Sequence, residues 1–141
     1  MAIEPDNKNW TWVLERPCPD CAYDASAVVL RDIGMSIRDI ASQWEVILLH
    51  PGATKRPVEN VWSPSEYGCH VRDVMRMADF RLELMTTEDD PMFTNWNQDE
   101  TAVAERYGLA FGVGSQRIAL ERPERAAGFA AEHWQQRGER S

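Results

Sequence analysis

The segment Ser63-Pro64-Ser65-Glu66, together with the amphipathic stretch behind it, constrains the fold more than any other part of the chain. A serine at a helix cap accepts a hydrogen bond from the third backbone N–H, and a glutamate at that third position reaches back to the N–H of the cap. Proline at the first helical position gives up an N–H that has no intrahelical partner there. The sequence therefore predicts a helix over 63–88, closed by Glu88-Asp89-Asp90-Pro91. Tyr67, Val71, Val74, Ala78 and Met85 form a narrow apolar stripe along it, and Arg72, Arg76, Asp79 and Glu83 are assigned to the opposite, solvated side. His70 falls on the flank of the stripe, at the boundary of the core.

Helical spacing also governs residues 32–50, where Ile33, Ile37, Ile40, Trp44 and Ile47 recur at helical intervals. Asp32 is the expected cap of this helix, and Pro51-Gly52 ends it just after His50, which is read as a partner of the helix dipole. Residues 1–31 show no sustained period and are expected to form an irregular arm anchored by Trp10, Trp12, Val13 and Leu14. Beyond residue 88, Phe93 and Trp96 should lie against the helices, and a short helix is expected from Thr101 to Tyr107. Ile118, Ala126, Phe129, Ala130 and His133 mark a last helix over 115–134, kinked at Pro123. There is no strand pattern, so the chain is expected to be a single all-α domain over 1–141, with its helices packed as a bundle.

Charge narrows the function classes. With 15 basic against 23 acidic residues and a formal net charge of −8, the chain lacks the clustered cations that bind nucleic acid or anionic membrane. No apolar run approaches the roughly 20 residues that span a bilayer. The acidic, non-hydrophobic N-terminus is not a signal peptide, so the expected location is the cytoplasm, where three cysteines stay reduced.

Three places carry residues suited to chemistry. His70 projects from a helix flank, where bundle proteins place metal-binding imidazoles. Cys18 and Cys21 form a C-x-x-C, a spacing that suits two thiolates on zinc; a zinc site would need completion by His50, His70 or His133. A redox dithiol is the other use of that spacing, but the usual flanking strand and helix N-terminus are missing from the local sequence. The first expectation is that both cysteines are structural or incidental, and the zinc site is the sharper alternative. The loop "GVGSQR" is not a dinucleotide fingerprint, because it lacks the third glycine and a preceding strand.

The run from Trp62 through Ser-Pro-Ser-Glu-Tyr-Gly-Cys-His-Val-Arg-Asp, followed by "EDDPMFTNWNQDETAVAERY" and "HW" near "RGERS", resembles the DinB-like superfamily. The resemblance implies an up-down-down-up four-helix bundle with a divalent metal, zinc or nickel, held by three histidines. It further implies kinship with S-transferases and an isomerase that use the low-molecular-weight thiols mycothiol or bacillithiol on small-molecule electrophiles. His70 matches the first metal histidine, and Trp96 and Asp99 are expected to line the cleft. The paired histidines of the last helix in such relatives match nothing in this sequence, so the fourth helix is expected to be absent. A bundle short of that helix would expose an apolar groove, from which a homodimer follows. The competing expectation is a noncatalytic helical protein that dimerises through that groove, with His70 merely packed.

Overall fold

The computed structural model describes residues 9–109, and these are all-α, with no strand among them. Three helices follow in order: α1 (Ile33–Leu48), α2 (Pro64–Thr87) and α3 (Gln98–Ala104). Short 3₁₀ turns at Thr11–Leu14, Ala25–Ala27 and Leu30–Asp32 precede α1, and another at Tyr107–Leu109 follows α3. The helix expected over 115–134, and His133 with it, lies outside the described residues. So does the start of the N-terminal arm.

α2 begins as its sequence dictates. The Ser63 side chain accepts from the Glu66 N–H at 3.2 Å, and the Glu66 carboxylate accepts from the Ser63 N–H at 2.8 Å. α1 starts where expected, but Asp32 does not cap it with its side chain, which lies 3.7 Å from Arg31 instead. The preceding 3₁₀ turn delivers the chain into the helix with Asp32 already in a helical conformation, so no cap geometry is available. α3 opens three residues earlier than Thr101, because the Asn97 side chain accepts from the N–H groups of Asp99 and Glu100. It closes at Arg106, whose φ of 52° takes the left-handed position usually filled by glycine and turns Tyr107 beneath α2.

The buried side of α2 is not the apolar stripe. Ser65, Glu66, Gly68, Cys69, Arg72 and Asp73 are buried, whereas Tyr67, Val74 and Met85 are exposed. Arg72 was expected in solvent and is only 8% exposed. The reason is a buried carboxylate, Asp73, that meets Arg72 in paired hydrogen bonds of 2.7 Å each; such pairing offsets the desolvation of both charges. α1 and α2 approach closely where Gly68 faces Leu48: a Cβ at Gly68 would sit 3.1 Å from Leu48 Cδ2. Between them, the Ser65 N–H donates to the Ala53 carbonyl at 2.8 Å. On α1, Ile40 and Ile47 are exposed, and Leu48 and Gly34 take the buried positions. In the arm, Trp12 and Val13 are half-buried, but Trp10 and Leu14 are exposed and do not anchor it as expected.

No helix among the described residues is long and apolar enough to cross a membrane.

Candidate functional site

His70 sits in the second turn of α2, between two indoles. Its ring centroid is 5.5 Å from that of Trp62, which precedes the capping box, and 5.7 Å from that of Trp96, which stacks on it at 10°. Trp96 is held in place by local chemistry. Its Nε1 donates to the Thr101 hydroxyl at 2.8 Å, and that hydroxyl donates in turn to the Asn97 carbonyl at 2.9 Å. Trp62 meets Tyr67 and Tyr107 edge-on at 5.3 and 5.8 Å. The histidine thus meets two indoles from separate segments, one of them braced in turn by two tyrosine rings.

Burial pushes the His70 imidazole below its ordinary value, against an opposite pull from the charges of Asp73 and Asp99. The ring is therefore neutral at pH 7, with one nitrogen free to accept or to ligate. Its Nδ1 is buried and has no hydrogen-bond partner among the described residues, a state that costs about 1–3 kcal/mol for a polar atom unless another group fills it.

Beneath this box lies an ionic layer. Asp73 accepts from Arg72, from the Tyr107 hydroxyl at 2.6 Å and from Arg76 at 3.3 Å. Burial works to raise the Asp73 carboxyl, but hydrogen bonds from Arg72 and Tyr107 hold it below the usual carboxylate range. The same burial, with Asp73 adjacent, raises Tyr107 well above an ordinary phenol and keeps its hydroxyl a donor. Nearby, Glu66 accepts from Arg56 Nε at 2.9 Å, and this contact together with the Ser63 N–H outweighs burial and lowers the Glu66 carboxyl.

A cleft of about 350 Å³ opens on the far side of Trp96, walled by Met77, Phe80, Phe93 and Ala104, with Arg81 and Glu100 as its charged groups. Arg81 donates to the Thr94 carbonyl at 3.3 Å and lies 5.6 Å from the centre of the Phe93 ring, while its buried Nε has no partner among the described residues. An apolar cleft with a few convergent polar groups is the usual form of a small-molecule site. Trp96 lines it; Asp99, half-buried at the start of α3, is not among its lining residues.

Comparison with protein-family models, with curated proteins and with solved structures finds no match to this chain.

Among the described residues, no three His, Cys, Asp or Glu side chains group so as to hold a metal. Among the described residues neither His50 nor His70 joins Cys18 and Cys21 in such a group, and His133 lies outside them. His50 Nδ1 accepts from the Gly52 N–H at 3.0 Å and so fixes the turn after α1. Cys18 is half-buried, Cys21 is exposed and Cys69 is buried under α2. Periodicity did not reveal Trp62, Asp73 and Tyr107 as partners in one cluster, because each belongs to a different segment and the face they share carries no apolar repeat.

Proposed function

We propose that the chain is a DinB-like helical-bundle protein centred on His70, in which the imidazole supplies one ligand to a divalent metal, zinc or nickel, and the adjacent cleft receives a small-molecule electrophile. The orphaned, buried Nδ1 of His70 carries this reading. A ring held neutral by burial and fixed between Trp62 and Trp96 keeps a nitrogen lone pair in place at neutral pH. A metal held there would supply Lewis acidity, favouring the thiolate of a low-molecular-weight thiol.

The chain's own groups would do the rest. Phe80, Phe93 and Met77 exclude water from an apolar substrate, and Arg81 Nε offers a buried donor to its polar end. Because the described residues supply no set of three ligands, a second copy of the chain would have to contribute to the site in this reading. The exposed Val74, Phe80 and Met85 on α2 favour a second reading, a noncatalytic protein that dimerises through this face. In that case His70 has no role in assembly.

Titration of the protein with nickel, followed by tryptophan fluorescence, tests the proposal. Saturable quenching through the flanking indoles is expected in the wild type and should be lost in His70→Ala. Identical titration curves for the two proteins would reject His70 as a ligand. Dimerisation unchanged by the substitution, with no metal effect in either protein, would favour the noncatalytic reading.

A further inference from the structure

The C-x-x-C of the N-terminal arm is built differently from a stretch of incidental loop. Two backbone hydrogen bonds close the segment on itself: Ala22 N–H to the Cys18 carbonyl and Cys18 N–H to the Tyr23 carbonyl, both 2.8 Å. Ala22 takes a left-handed φ of 60°, a conformation costing about 1–2 kcal/mol for a residue with a Cβ, and turns the chain back so that Tyr23 meets the Cys18 N–H. Hydrogen bonding from the backbone of Cys21 and Asp20, and from the Cys21 thiol, favours the Cys18 thiolate against burial and the charge of Asp20. A helix N-terminus commonly activates the first cysteine of such a pair. Here the donors come from a turn. That is why the lack of a flanking helix in the sequence does not rule out redox chemistry.

The two sulfurs are thus neighbours with unequal surroundings. Cys18 is half-buried and furnished with donors, and Cys21 is exposed. Both are reduced and free, and no third His, Cys, Asp or Glu of the described residues joins them to form a metal site.

We propose that Cys18 and Cys21 form a redox-active dithiol that reduces low-molecular-weight disulfides, with Cys18 as the attacking and Cys21 as the resolving residue. The Cys18 thiolate attacks one sulfur of the disulfide RSSR. A Cys18–SR bond forms, and the other half leaves as RS⁻, which takes up a proton equivalent to the one Cys18 released. Cys21 then loses its proton and attacks the Cys18 sulfur, forming the Cys18–Cys21 disulfide and expelling the second RS⁻, which is protonated in turn. Two protein thiols are oxidised and one disulfide is reduced to two RSH. This site is separate from the His70 cluster and does not depend on the reading given for it.

The test uses glutathione disulfide as the probe, on reduced full-length protein, with intact mass as the readout. The wild type is expected to lose two hydrogens without retaining an adduct. Cys21→Ser should accumulate one mixed disulfide on Cys18. Cys18→Ser should form its adduct on Cys21 at least about threefold more slowly at pH 7, since the larger thiolate fraction of Cys18 is partly offset by the lower nucleophilicity of a less basic thiolate. Circular dichroism matching the wild type confirms that both variants are folded. Equal rates in the two variants, a stable adduct on the wild type, or zinc retained by the pair in place of disulfide formation would each overturn the proposal.

Discussion

Without the Tyr107 hydroxyl, Asp73 still holds Arg72 through paired hydrogen bonds, so Tyr107→Phe should cost only about 1–2 kcal/mol of unfolding free energy. Asp73→Ala is a different matter. It leaves Arg72 buried with only the looser Glu105, at 3.8 Å, as a carboxylate partner among the described residues, and the loss should reach about 3–5 kcal/mol. Urea denaturation of the two variants checks this order; equal losses would mean that Arg72 finds another partner. At this scale His70 was partly legible: its place on a helix flank followed from spacing, but its aromatic clamp did not. Trp62 and Trp96 lie outside the helix that carries His70, and local periodicity says nothing about rings brought together by loops. Arg72 was misplaced for a related reason, since a charged residue reads as solvated until its buried partners are known.

Helix ends are where the sequence was most informative. The capping box at Ser63 and Glu66 is a contact between residues three apart, and it forms as read. Ser63→Ala is accordingly expected to lower stability by about 1 kcal/mol, measured by thermal or urea unfolding. A loss below the error of the measurement would mean that the Glu66 to Arg56 contact alone fixes the start of α2. The start of α3 was also encoded locally, in Asn97 followed by Asp99 and Glu100, an Asx cap with an acidic first turn that points to residue 98 and not to Thr101. The buried side of α2 was harder to read. Its closest neighbours are Leu48 at the end of α1 and Tyr107 after α3, and packing of Leu48 against Gly68 replaces the apolar stripe as the contact that positions the helices.

Across the whole described structure, buried ionisable groups set the response to pH. His70 binds its proton less readily when folded than at its ordinary 6.5, so the unfolded chain holds more protons below that pH and stability falls as pH drops through 6.5. Glu66 and Asp73 are likewise lowered from 4.5 and 3.8, so the stability they contribute is present above those values and is lost on further acidification. Unfolding free energy followed from pH 8 to pH 3 should therefore fall in two phases, with His70→Gln removing the first and sparing the second; a single acid phase in the wild type would contradict the burial of His70. The all-α class was legible from periodicity alone. The contacts that organise it were not, because Arg56 with Glu66 and Tyr107 with Asp73 join segments that no repeat links. The central claim, that His70 ligates a metal, is tested most directly by the metal content of untagged full-length protein, measured by elemental mass spectrometry beside His70→Ala. Near-stoichiometric zinc or nickel in the wild type, lost in the variant, is the expected result; equal metal in both proteins, or none in either, would contradict it.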